Sequence, residues 1–160
     1  MFKYLKFLAA SSNHHGVHSP FVYRYVTQCL YKKPRLHRSH MWDVLLKSIG
    51  YFSATHLLIL GEQNALASQI CSQFPNIHFG DPPFDLILAQ NGKIGDLWPI
   101  LEAGDKLHND TLIMVDAPYK DEAWEQLKAH PMVRVTMDLF YCGVVFIRKE
   151  QAKEHFKIRI

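Results

Sequence analysis

Apolar residues follow a helical period in the first third of the chain. Within residues 20–30 they recur at spacings of one, three or four, and Ser19 before a proline is typical of a helix start. A second apolar stripe covers residues 40–49, and we expect Gly50 to end that helix. Residues 1–54 are therefore predicted to form a helical cap.

From residue 55 onward the pattern changes to short, continuous apolar runs that alternate with helical stretches. Continuous runs bounded by turn residues are typical of strands that are buried on both faces. The alternation predicts an α/β fold with a mostly parallel sheet. The predicted strands cover residues 57–60, 84–89, 111–115, 133–140 and 144–148.

The last two predicted strands are separated only by residues 141–143, a gap too short for a crossover helix. They are therefore expected to pair antiparallel, and the predicted order in the sheet is first, second, third, fifth, fourth. The fold is predicted to be a shortened Rossmann-like sheet over residues 55–160, in a single domain with the cap at 1–54. Residues 76–80, the cap or a second subunit in a homodimer must close the edge beside the first strand.

Composition excludes several classes of protein. Apolar residues make up 48% and charged residues 21% of 160 positions, as in ordinary globular chains. Lys3 and Lys6 interrupt the first apolar run, which argues against a signal peptide, and no apolar stretch is long enough to span a membrane. Cys29, Cys71 and Cys142 form no closely spaced pair, so we expect reduced, mostly buried thiols in a cytoplasmic protein.

Charge is distributed unevenly along the chain. Residues 1–54 hold eight lysines and arginines against Asp43 alone, a net charge of +7, whereas residues 55–160 carry −4. Lys32, Lys33, Arg35 and Arg38 form a basic patch near several tyrosines, which could contact phosphates. A solvated connector between two helices is the favoured interpretation, so nucleic acid is not the expected partner.

Histidines are concentrated in the same region. A metal site would need four convergent ligands, and the spacing fixes no such set. The favoured interpretation is solvated or helix-start histidines, with no metal. The histidines considered were His14, His15, His18, His37 and His40.

Two long motifs carry a resemblance to a known family. Residues 15–27 read HGVHSPFVYRYVT, and residues 138–149 read DLFYCGVVFIRK. Together with the strand order, they resemble a class I S-adenosylmethionine-dependent methyltransferase-like family common in Bacteroidetes, whose members carry an HGxHSPF opening and a DLFxCGxVFF terminal hairpin. The resemblance covers both ends of the chain well and the middle only in places.

The middle departs from that family where the cofactor would bind. The family's first strand ends in an ELGTSxG-like segment, and the matching residues 59–65 here read ILGEQNA. Gly61 is retained, but Ile59 replaces an acid and Ala65 replaces a glycine. Gln90 stands where the family places an aspartate. Too few residues separate the first two strong strands to supply the acid that normally holds the ribose.

The resemblance implies a set of cofactor contacts. Where S-adenosylmethionine binds, it would contact Gly61, Glu62, Asp81, Gln90 and Asp116. The altered loop favours the absence of any cofactor, with Gly61 serving a turn instead. For Asp81, a turn before the two prolines and a contact with the cofactor's adenine are equally open. No catalytic residue is assigned. We expect amide side chains at Gln63, Asn64 and Gln90, together with Glu62, to fill the space above Gly61 and to satisfy its backbone groups.

Three functions remain open from the sequence. The first is a methyltransferase-like protein that is degenerate in cofactor binding and catalysis and acts through binding or assembly. The second is an active S-adenosylmethionine-dependent methyltransferase on an unknown acceptor, and the third is a nucleic-acid-associated module that uses the basic cap.

Overall fold

The computed structural model describes residues 2–160, apart from the side chain of His14. A seven-stranded sheet forms its centre, in the order β2-β1-β3-β4-β6-β5-β7. Every neighbouring pair is parallel except the two that involve β6. The strands are β1 (His56–Leu60), β2 (His78–Phe79), β3 (Phe84–Ala89), β4 (Leu107–Asp116), β5 (Val135–Asp138), β6 (Cys142–Phe146) and β7 (Glu154–Lys157).

The α/β fold class and the order of the five predicted strands are confirmed. The edge beside β1 is closed by β2, which lies within residues 76–80, the first of the three expected arrangements. β2 pairs with the first two residues of β1. β7 was not predicted, because its alternating pattern of half-buried and exposed residues gives no continuous apolar run. It pairs parallel with β5 and lengthens the sheet by one strand on that side.

Helices cover both faces of the sheet. One face packs against α2, α3 and α4, through buried residues that include Val22, Leu45 and Ile70. The other face packs against α5 and α6, through Leu101 and Leu127. The α-helices are α1 (Phe2–Ala10), α2 (Pro20–Tyr25), α3 (His40–Phe52), α4 (Asn64–Gln73), α5 (Trp98–Ala103) and α6 (Ala123–Ala129).

The predicted helix start at Ser19 is confirmed, because its hydroxyl accepts a hydrogen bond from the Val22 amide. The helix continues past α2 as a π-helix, Val26–Leu30. The predicted end of α3 at Gly50 is wrong. The helix runs two residues further, because the Phe52 ring packs against Tyr25, and Ser53 ends it in the left-handed conformation.

The terminal hairpin turns earlier than predicted. Residues 142 and 143 belong to β6, where Cys142 pairs with Asp116 and Gly143 with Val115 of β4. The turn therefore covers residues 139–141, and Phe140 at its centre has a φ of +68°. The antiparallel pairing itself is as expected.

Candidate functional site

The connections of the sheet place its topological switch point between β1 and β3. Helix α4, after β1, packs on one face, whereas α5, after β3, packs on the opposite face. In open α/β sheets, ligands bind outside the carboxyl ends of the strands at such a switch point. The carboxyl ends of β1, β3 and β4, here called the carboxyl edge, carry Gly61, Gln90 and Asp116 in turn.

Gln90 joins the two strand ends at this switch point. Its Oε1 accepts a hydrogen bond of 2.6 Å from the Glu62 amide, and its Nε2 donates one of 3.0 Å to the Glu62 carbonyl. The backbone amide of Gln90 also donates a hydrogen bond of 3.0 Å to the Leu60 carbonyl. Since both polar ends of the side chain are engaged by the loop after β1, the two strand ends are joined directly.

Gly61 makes room for this contact. Its φ is +130°, and a Cβ added there would lie 2.6 Å from Cδ of Gln90. Gln63 turns its side chain back toward β1, where Nε2 donates to the Ile59 carbonyl at 2.9 Å. Two of the expected side chains, Gln63 and Gln90, thus bond to backbone groups beside Gly61, although Gln63 is exposed, as Glu62 and Asn64 are.

Asp116 ends β4 on the same edge. Burial raises the pKa of its carboxyl group, while the Lys120 ammonium and the Asn91 backbone amide oppose the rise. Ala117, the next residue, has a φ of +46° and donates its amide to the Tyr141 carbonyl at 3.0 Å. The end of β4 is therefore tied to the terminal hairpin.

Asp81 lies in the connection between β2 and β3. β2 pairs only with His56 and Leu57, so it stops three residues short of the carboxyl end of β1. Three residues of strand correspond to about 10 Å. Residues 80–83 then lead back to the beginning of β3. The carboxyl edge thus brings together four of the five sequence-predicted positions, with Asp81 outside it.

An aromatic cluster beside the carboxyl edge was not predicted. Tyr119 stacks on Phe140 with ring centroids 4.4 Å apart, and His40 stacks on Tyr141 at the same separation. Tyr4 of α1 packs edge-on against Phe140 at 4.8 Å. In the sequence, only the adjacent aromatic residues Phe140 and Tyr141 of the hairpin indicated such a cluster. Tyr4 and Tyr119 are distant from them along the chain.

A polar cluster joins the opposite, amino ends of three strands. Both carboxylate oxygens of Asp85 in β3 are engaged: Oδ2 accepts from the amides of Thr55 and His56, and Oδ1 lies 3.0 Å from His108 Nε2 in β4. Burial alone would raise the pKa of Asp85, but these hydrogen bonds outweigh it and lower the pKa below 3.8. The one feature of the sequence that could have indicated this cluster is Asp85 itself, a single acid within the apolar run FDLILA.

The basic patch lies on the connection between the π-helix and α3. Arg35 and Lys47 both approach the buried Asp43, with N–O distances of 3.9 and 2.9 Å. Lys32 and Lys33 are exposed.

The histidines are dispersed. His15 and His18 are exposed, the His37 ring packs at a tilt against Trp42, and the His14 side chain lies outside the described residues. Within the described part of the chain, no group of three histidines, cysteines or acids could hold one metal ion. Cys29 and Cys142 are buried and Cys71 is exposed, and none of the three forms a disulfide.

Comparison with protein-family models and with curated proteins finds no match for this chain. Across residues 2–160, the described helices are too short or too polar to cross a membrane.

Proposed function

We propose that this chain is a methyltransferase-like protein that has lost cofactor binding and catalysis and acts by binding a partner or by assembly. Two features support the relation to methyltransferases: the sheet order with one reversed strand, and the motifs at both ends of the chain. The loss of cofactor binding is inferred from one observation, the Gln90 side chain bonded to both backbone groups of Glu62.

The residues of the carboxyl edge do not fit S-adenosylmethionine well. In the family that the sequence resembles, the loop after the first strand approaches the methionine and ribose of the cofactor. Here a ligand in that place would have to displace two hydrogen bonds, each contributing about 0.5–1.5 kcal/mol. The short β2 also supplies no acid beside Gly61 to hold ribose hydroxyls.

Calorimetric titration of the unmodified protein with S-adenosylmethionine and S-adenosylhomocysteine tests this proposal. We expect no heat beyond that of dilution at millimolar ligand. A Gln90→Asp variant should also give none, because the aspartate restores the family's residue without restoring a ribose contact. Micromolar binding to the unmodified protein would contradict the proposal.

A working methyltransferase is the second candidate. Asp116, half-buried at the carboxyl edge, and the retained Gly61 favour it. Methyl transfer would then rest on holding an acceptor beside the cofactor's methyl group, with Asp81, Glu62 and Asp116 as cofactor contacts. Transfer of a labelled methyl group to any acceptor in a cell extract would favour this candidate over the first.

The basic patch of the cap favours a third, lower candidate, a nucleic-acid-associated module. A mobility shift with RNA that weakens as salt rises would support it. A cytoplasmic location and a homodimer formed through the sheet edge or the cap also stay predictions, which fractionation and light scattering can test.

A further inference from the structure

A cavity of about 290 Å³ opens within the helical cap. It lies between the π-helix, the basic connection that follows it, the middle of α3 and Phe74 at the end of α4. None of its lining residues belongs to the carboxyl edge. We call this space the cap cavity. It is close to the smallest volumes at which proteins bind small molecules.

The walls of the cap cavity are mainly apolar. Leu46 and Cys29 form buried parts of the lining, and Phe74 is half-buried. Leu36 and Tyr51 also line it, and these two side chains remain 49% and 39% exposed. Large apolar side chains that are left in contact with water beside a cavity are stabilised when a ligand covers them.

The charged groups around the cap cavity are positive. Lys32 and Lys33 line it, and neither ammonium group pairs with another of the described residues. Lys47 also lines it, but it is neutralised by Asp43 at 2.9 Å. Burial raises the pKa of the Cys29 thiol to about 12, so the thiol carries no charge at neutral pH.

We propose that the cap cavity binds a small amphipathic anion, with an apolar chain or ring against Leu36, Tyr51 and Phe74 and a carboxylate or phosphate head at Lys32 and Lys33. The apolar walls favour a ligand with an apolar chain or ring, and the ammonium groups of Lys32 and Lys33 favour a negatively charged head group. Such a ligand would give the cap a binding role that does not depend on the proposal for the carboxyl edge.

The π-helix also supports a binding role for the cap cavity. Gln28 and Cys29, both within Val26–Leu30, line the cap cavity. π-Helical turns are rare and are often found at functional sites, and this one forms the last turn of the helix that begins with α2. The connection that follows it carries Lys32 and Lys33.

Titration of the ¹⁵N-labelled full chain with sodium octanoate tests the proposal by NMR. We expect saturable shifts of the Gln28, Leu36 and Gly50 amides. Octyl phosphate should shift the same amides, and the tighter of the two ligands identifies the head group. Octanol, which has no charge, and acetate, which has no chain, should both bind at least about tenfold more weakly.

Two variants separate the head from the chain. Lys32→Ala/Lys33→Ala should weaken octanoate binding about tenfold, whereas Lys149→Ala, at an exposed lysine outside the cavity, should leave it unchanged. Gly50→Leu should abolish binding by filling the space, since a Cβ there meets Phe74 only at an ordinary 3.9 Å. An unchanged melting temperature and spectrum would show that Gly50→Leu is folded.

Several results would overturn the proposal. These are octanoate shifts scattered over the whole surface, equal binding of octanol and octanoate, or undiminished binding to the double lysine variant. Binding of an acidic peptide at the same amides, with no binding of either octyl anion, would instead make the cap cavity a protein-docking groove. A null result with S-adenosylmethionine bears only on the carboxyl edge.

Discussion

At the scale of single residues, the carboxyl edge depends on the chemistry of one amide. Gln90 donates to the Glu62 carbonyl and accepts from the Glu62 amide, which a carboxylate at this position could not do at neutral pH. The aspartate of the resembled family would also be one methylene shorter. The side-chain amide of Gln90 thus satisfies the backbone groups of the loop after β1 without a ligand.

Replacing Gln90 by alanine should lower the free energy of unfolding by about 1 kcal/mol, because two hydrogen bonds are lost while water reaches the exposed Glu62 backbone. Urea denaturation followed by circular dichroism measures this change. Gln73→Ala, at an exposed glutamine in the last turn of α4, is the control and should change stability by less than about 0.5 kcal/mol. Equal effects of the two variants would contradict a bridging role.

A second residue-scale prediction concerns Gly143 in β6. A Cβ there would lie 2.6 Å from Cη2 of the buried Trp124 ring, so the ring or the strand must shift. Gly143→Ala should destabilise the protein by about 1–3 kcal/mol through overpacking. Gly95→Ala, where an added Cβ meets nothing within 4 Å, should be close to neutral in the same thermal unfolding experiment.

At the scale of elements, α3 shows why glycine is an uncertain signal in sequence. Gly50 suggested a helix end, but the helix continues because Tyr51 and Phe52 pack against Tyr25. Packing of this kind outweighs the helix propensity of one residue, which amounts to about 1 kcal/mol. The position of a helix end was therefore decided by contacts that are remote in sequence.

Gly50→Ala should stabilise the protein by about 0.5–1 kcal/mol, because alanine loses less backbone entropy in a helix interior and its Cβ has room beside Phe74. The midpoint of urea denaturation should rise with no change in slope. A lower midpoint would mean that the surroundings of Gly50 are tighter than the 3.9 Å approach indicates.

The strands were easier to predict than their ends. Continuous apolar runs identified β1, β3 and β4. Burial on both faces accounts for the runs in β3 and in the second half of β4, whereas buried residues alternate with half-buried ones in β1. The hairpin turn was displaced by two residues, since Phe140 rather than a glycine takes the left-handed conformation. The sequence singled out Gly61, Gln90 and Asp116, which the fold places on one edge, but the Asp85 cluster depends on strand register, which the sequence alone does not reveal.

At the scale of the whole molecule, both outer strands of the sheet are short. β2 contributes two residues beside β1, and β7 contributes four, with a further bridge between Ser12 and Ile158. Short outer strands offer little edge for pairing with other chains. Between them, polar contacts hold the strands in register at both ends, through Gln90 at the carboxyl edge and Asp85 at the amino ends.

Asp85 should make the stability of the whole fold depend on acid. Its pKa is lowered in the folded state, so its stabilising contribution is complete above the ordinary value of 3.8 and is lost as the pH falls through the folded pKa. Asp85→Asn should cost about 1–2 kcal/mol at neutral pH, because an amide cannot accept from Thr55, His56 and His108 together.

Urea denaturation at a series of pH values measures this contribution. The difference in the free energy of unfolding between the unmodified protein and Asp85→Asn should narrow as the pH falls below about 4, because protonation then removes the same carboxylate from the unmodified protein. Asp105→Asn, at an exposed acid, should show no such narrowing. A difference that widened below about pH 4 would mean that Asp85 carries a proton in the folded state, and the three strands would then be joined by a neutral carboxyl group.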